Sequence, residues 1–171
     1  MQARNFFKQV FKNLNSKNIF YRYNQEVFTY ADLKEFLRKF FTITNYLPKK
    51  RNNIYVCCEK SFELYATAIS IILSNNIWIP ISVNLPLEKM KKQIKESQID
   101  LFILQNRNSS FNKKIIKILK ASKIRFITTD DIKQSKKSVL EKRRYKDNDI
   151  SVIYFTSGST GIPKGVPISF K

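Results

Sequence analysis

From residue 53 onward, short continuous apolar runs alternate with helical segments, and this alternation constrains the chain more than any other feature. Residues 53–58, 76–81, 100–105, 124–128 and 150–155 each read as a strand. Between them, 61–73 reads as a helix that is apolar nearly all round. A second helix begins at Pro86, whose missing N–H costs nothing in a first turn, and shares one face among Leu87, Met90 and Ile94. Residues 111–120 form a third. Strands that are apolar without alternation are buried on both faces. They predict an α/β fold with a mostly parallel sheet and helices on both faces. Ligands of such sheets bind beyond the carboxyl ends of the strands, so a site is expected just after a strand. The polar, charged stretch 129–148 reads as a connection leading to the last strand.

The first third is organised differently. Residues 6–14 predict a short opening helix, and 19–23 with 27–30 a hairpin around Asn24-Gln25-Glu26. Thr29 can cap the next helix, with Asp32 completing a capping box. Leu33, Phe36, Leu37, Phe40 and Phe41 then follow the spacing of a buried stripe, and Pro48 in a basic turn ends the helix.

Hydrophobic residues make up 43% of the 171, enough for a core and against wholesale disorder. No stretch reaches the ~20 uninterrupted apolar residues of a membrane span. The longest candidate, 69–81, is broken by Ser74-Asn75-Asn76 and Pro80. No apolar segment follows the N-terminal basic residue, so no secretory signal is visible and the chain reads as cytoplasmic. Cys57 and Cys58 point to opposite faces of a strand and read as buried, reduced thiols. With no histidine in the chain, Ser-His-Asp catalysis and His-ligated metals are excluded within these residues, and no metal ligand set is predicted.

The formal charge is +19. Residues 112–146 alone carry 13 Lys or Arg against Asp130, Asp131 and Glu141. Such a patch can attract nucleic acid or an anionic membrane surface. Regular aromatic interleaving and any nucleic-acid motif are missing, which argues against a nucleic-acid partner. The whole chain is also rich in Lys, Asn, Ile and Phe, as under an overall compositional bias.

All three glycines, Gly158, Gly161 and Gly165, lie within eight residues, directly after the last predicted strand. Glycine is required where the backbone takes positive φ or is closely approached. The segment reads Thr156-Ser157-Gly158-Ser159-Thr160-Gly161-Ile162-Pro163-Lys164-Gly165. Four hydroxyls, a run of backbone N–H groups and the mobile charge of Lys164 suit a polyphosphate, and such concave N–H groups form anion-binding nests. The spacing is neither a Walker A loop nor the dinucleotide G-x-G-x-x-G. A bare Gly/Ser/Thr cluster can also be a hairpin turn or a surface loop. The preceding apolar strand and the Pro-Lys-Gly that follows favour a phosphate grip.

Residues 155–165, Phe-Thr-Ser-Gly-Ser-Thr-Gly-Ile-Pro-Lys-Gly, resemble without a break the phosphate-loop motif of the adenylate-forming (AMP-binding) superfamily. That superfamily includes acyl-CoA synthetases, amino-acid adenylation domains and luciferase. Phe28-Thr29-Tyr30-Ala31-Asp32-Leu33 is similar to an early family segment. Ile77-Trp78-Ile79-Pro80-Ile81 with Leu85-Pro86-Leu87-Glu88-Lys89-Met90 is similar to a second. Ser82 stands where the family often has Asp, and Phe170 follows Ser169 where many members have His.

The resemblance implies that residues 1–171 are the N-terminal portion of the large domain of an adenylate-forming enzyme, cut after the phosphate-binding loop. It implies activation of a carboxylic acid, an amino acid by the look of Trp78 to Met90, through an acyl-adenylate with release of pyrophosphate, then transfer to a thiol. Carrier-protein phosphopantetheine or CoA would be the acceptor. ATP and Mg2+ are the implied cofactors, with the magnesium ligand expected downstream of Lys171. Thr156, Ser157, Gly158, Ser159, Thr160, Gly161, Lys164 and Gly165 would hold the nucleotide, and Lys164 would be catalytic by offsetting charge on the departing pyrophosphate. These residues alone are expected to form no adenylate. A fatty or aromatic acid:CoA ligase fragment and a non-catalytic basic binding module remain the alternatives.

Overall fold

The structure is a computed structural model and describes residues 2–47, 51–140, 146–156 and 163–170. Helix α1 (Gln2–Asn13) opens the chain and is followed by the antiparallel hairpin β1 (Ile19–Tyr23) and β2 (Glu26–Thr29). Helix α2 (Tyr30–Thr44) starts where the capping signal placed it. The Thr29 hydroxyl accepts from the Asp32 N–H at 3.3 Å, and the Asp32 carboxylate accepts from the Thr29 N–H at 2.7 Å. All five residues of its predicted stripe are buried. Pro48 lies outside the described residues.

A six-stranded sheet follows in the order β6-β5-β3-β4-β7-β8. Its parallel strands are β3 (Asn53–Cys57), β4 (Ile77–Pro80), β5 (Leu101–Leu104), β6 (Phe126–Thr128) and β7 (Ile150–Thr156). The crossovers run through α3 (Phe62–Leu73), α4 (Leu87–Glu96) and α5 (Ser110–Ala121). Pro86 occupies the N-cap of α4, one position before its expected place.

Alternate residues of the central strands feed two cores. Ile54, Val56, Leu101 and Ile103 pack with α1, α2 and α3 on one face. Tyr55, Cys57, Phe102 and Leu104 pack with Met90 and Ile94 of α4 and Ile115 and Leu119 of α5 on the other. Helices on both faces of a mostly parallel sheet are thus observed as the apolar strands implied.

Two elements depart from the sequence reading. The polar connection 129–148 contains a helix, α6 (Thr129–Gln134). It is held by a second capping box between Thr128 and Asp131 and by burial of Ile132. The chain also continues beyond the last predicted strand into β8 (Lys164–Ser169), antiparallel to β7. Gly165 and Pro167 conceal it, because both residues are unfavourable inside a strand. An edge strand tolerates Pro, whose missing N–H is no loss where no ladder bond is made.

Candidate functional site

Because β7 runs parallel to β4, its last residue, Thr156, stands at the same edge of the sheet as the ends of β3, β4, β5 and β6. The segment between β7 and β8 therefore leaves from the carboxyl edge, where the fold class places ligands. Its two ends are fixed by the ladder. Thr156 pairs with Lys164, Phe155 with Gly165 and Tyr154 with Val166. Residues directly opposite share a face, so Thr156, Lys164, Tyr154 and Val166 project together. Trp78 adds to that face through an edge-to-face contact with Tyr154, the ring centroids 6.2 Å apart.

A cavity of about 730 Å³ opens beside them. Val56 and Cys58 from β3 and its end, Leu64 of α3, Trp78 and Pro80 of β4, and Tyr154 and Phe155 of β7 form its walls. Its polar groups come from the segments after the strands: Glu59, Lys60, Ser82 and Asn84. The loops after β3 and β4 diverge to opposite faces of the sheet here, which makes the crevice a topological switch point. Of these, Ser82 was noted in the sequence, as a departure from the resembled pattern, and Glu59, Lys60 and Asn84 were not. The signal available for them was the rule about strand ends, since each follows directly on β3 or β4.

The nucleotide-binding residues expected from the sequence divide into two groups. Thr156, Lys164 and Gly165 are described. Ser157, Gly158, Ser159, Thr160 and Gly161 lie outside the described residues. The Thr156 hydroxyl donates to the Lys164 carbonyl at 3.4 Å, a long bond that ties the segment's ends to each other. The Lys164 side chain is exposed. A Cβ on Gly165 would stand 3.0 Å from Cγ2 of Ile153 and 3.5 Å from the Phe155 ring. Close approach of β7 side chains, rather than an unusual φ, accounts for glycine at that position.

The two positions at which the sequence departs from the pattern it resembles have structural roles. Ser82 makes a turn: its hydroxyl accepts from the Asn84 N–H at 3.2 Å and its carbonyl from the Leu85 N–H at 3.1 Å. Phe170 is 2% exposed and packs edge-to-face on Phe7 of α1 at 5.9 Å, a core residue rather than a site residue. Cys57 and Cys58 are buried free thiols. Burial pushes the Cys57 thiol up to about 12, and burial, then Cys57 and Glu63, push the Cys58 thiol upward as well. Neither has thiolate character at neutral pH.

Among the described residues no cluster of three or more His, Cys, Asp or Glu could hold a metal ion. Among the described residues Glu59 is the one acid lining the cavity, too few carboxylates for a metal ligand set there. No helix among them is long and apolar enough to cross a membrane.

Comparison with known proteins places this architecture. The family model described as AMP-binding enzyme matches residues 6–171. The ferrichrome siderophore peptide synthetase of Mycosarcoma maydis is 28% identical over 139 residues, 80% of this chain and 3% of that protein. The D-alanine–D-alanyl carrier protein ligase of Staphylococcus aureus is 26% identical over 162 residues, 95% of this chain and 31% of the ligase. This chain therefore spans less than a third of the length of these curated relatives. Among solved structures, the o-succinylbenzoate CoA synthetase of Bacillus subtilis in complex with its acyl-adenylate intermediate shares the fold. Its TM-score is 0.78 at 17% identity, over 97% of this chain and 42% of that one. The same synthetase also matches in complex with ATP and magnesium ion. A family model spanning almost every residue, on a fold shared with such a synthetase, leads to one conclusion: the chain belongs to the AMP-binding enzyme family, whose relatives here are adenylate-forming ligases.

Proposed function

We propose that these residues form the N-terminal part of an adenylation domain that activates a carboxylic acid, preferably an amino acid, at the expense of ATP. One observation carries the reading: the Gly/Ser/Thr segment departs from the carboxyl end of a parallel strand, beside a large cavity at a switch point of the sheet. A carboxylate oxygen of the substrate attacks the α-phosphorus of ATP. The bond from that phosphorus to the bridging oxygen breaks, and pyrophosphate leaves with the electron pair. Residues 156–165 hold the β- and γ-phosphates through hydroxyls and backbone N–H groups. Lys164, on the same face as the cavity, offsets charge that grows on the leaving group. Mg2+, bound by residues elsewhere in the protein, would share that work. The acyl group then passes to a thiol, on a carrier protein or on CoA. The preference for an amino acid rests on Trp78 to Met90 and on the two curated relatives, a peptide synthetase and a D-alanine ligase.

The test is carboxylate-dependent exchange of pyrophosphate into ATP by the full-length protein. Removing a charged hydrogen-bond donor costs about 1.5–3 kcal/mol, so Lys164→Ala should lower exchange by about ten- to a hundredfold. Full exchange in that variant would overturn the assignment. Amino acids should support exchange better than fatty or aromatic acids. Residues 1–171 by themselves should support none.

A further inference from the structure

The lysine-rich surface noted in the sequence is not spread evenly over the fold. Helices α4 and α5 lie on the same face of the sheet, where Met90, Ile94, Ile115 and Leu119 share one core. Together they carry eight lysines against two glutamates, all eight outside the buried set of either helix. The opposite face, with α1, α2, α3 and α6, carries seven basic residues against five acidic ones over about twice the length of helix. An overall bias toward lysine acts on both faces equally and does not produce this difference.

The two faces also differ in how charge is compensated. Around α2 and α6, Lys39 and Lys137 both meet Glu35, Lys133 meets Glu63, and Arg107 meets Asp131. On α4 and α5, among the described residues, the one ion pair joins Lys91 to Glu88. Lys113, Lys114, Lys117 and Lys120 on α5, and Lys89 and Lys92 on α4, are exposed. On α5 the spacing of three and four residues puts its lysines on adjoining turns, and that helix contains no acid. Lysines standing side by side repel one another, so an uncompensated array costs stability unless an anionic surface meets it. Covering these helices with more apolar protein would strand the charges, so this face is an outer one.

We propose that the α4–α5 face docks on an anionic lipid bilayer through electrostatic contact without insertion. Two parallel helices on one side of a sheet present a broad face rather than a groove. Every cation on them is lysine, a hydrated point charge, and the planar Arg fork that grips phosphate bidentately is missing. Exposed aromatic rings on which bases could stack are also missing from both helices. That chemistry fits a sheet of lipid headgroups better than a nucleic acid. Clusters of this size on amphipathic helices are sufficient for reversible attachment to acidic lipid. The proposal does not rest on the carboxylate-activating reading.

The experiment measures co-sedimentation of the full-length protein with phosphatidylcholine vesicles, with and without phosphatidylserine as the acidic lipid. Binding should require the acidic lipid and disappear at about 1 M salt, where screening acts within ~3 Å. The triple variant Lys113→Glu, Lys117→Glu, Lys120→Glu should bind at least about a hundredfold more weakly. A control triple with the same change in net charge, Lys8→Glu, Lys12→Glu, Arg22→Glu, should bind within about threefold of the parent. Circular dichroism checks that both variants remain folded; if the α5 triple does not, Lys117→Glu alone serves, with an expected drop of about tenfold. Equal losses in both triples would overturn the proposal, as would absent binding, or tighter binding of duplex DNA than of vesicles with the same dependence on α5.

Discussion

Asn24, Asn75 and Lys123 hold left-handed backbone, with φ of 53°, 59° and 55°, so positive φ is needed well outside the glycine cluster. The latter two end helices. Asn76 N–H bonds to the Ile71 carbonyl and Asn75 N–H to that of Ile72; Ile124 N–H bonds to Leu119 and Lys123 N–H to Lys120. Both pairs form the double closure that usually places glycine at this position. Asparagine tolerates such a conformation through its short polar side chain, whereas lysine has no such advantage. Lys123→Gly should therefore stabilise the protein by about 1 kcal/mol, raising Tm by about 2–4 °C in a thermal melt. The sequence made the end of α3 readable through Ser74-Asn75-Asn76, but Lys123 carries no stop signal. Glycine scarcity reflects substitution at these bends, where other residues take the left-handed conformation. Of the three glycines, Gly165 shows its reason in packing against Ile153.

Elements with a wide apolar stripe were legible and short ones were not. Helix α2 was readable because five large side chains repeat at helical spacing behind a capping box. Helix α6 has the same Thr-x-x-Asp box but buries one large apolar residue, Ile132, too few to make a period. Its docking depends on charge instead. Burial pushes the Glu63 carboxyl up, but Lys133 at 2.6 Å, its own backbone N–H and Ser61 outweigh this and hold it below the usual carboxylate range. For Asp131 burial again acts upward and is overcome by the Thr128 backbone and hydroxyl and by Arg107. Hydrogen bonds from Lys137 and then Lys39 lower Glu35. Groups depressed on folding stabilise fully above their unfolded pKa, about 3.9–4.3, and lose that contribution as pH falls through the folded values. The urea midpoint should stay level from about pH 7 to 5 and drop below about pH 4. Glu63→Gln should make that drop shallower. An unchanged acid limb in the variant would remove Glu63 from the account.

At the scale of the whole molecule, the class of sheet was readable because its strands are buried on both sides. The cavity was not, because strand order sets which loops meet, and order is invisible in a linear pattern. Among the described residues no strand pairs with the outer side of edge strand β8, whose Val166 and Ile168 are 47% and 43% exposed. Such edges recruit other strands. Residues 1–171 alone should self-associate, with a sedimentation coefficient that rises with concentration. Ile168→Lys should suppress the rise by placing charge on the edge.

The pairing of Thr156 with Lys164 has a consequence for the proposed phosphate grip, whose two ends these residues form. Facing partners in an antiparallel ladder sit ~4.5–5.5 Å apart at Cα, so Thr156 and Lys164 are already held together by the strands on either side. If a phosphate group binds there, bringing those two ends together costs no further entropy, because the ladder has closed them beforehand.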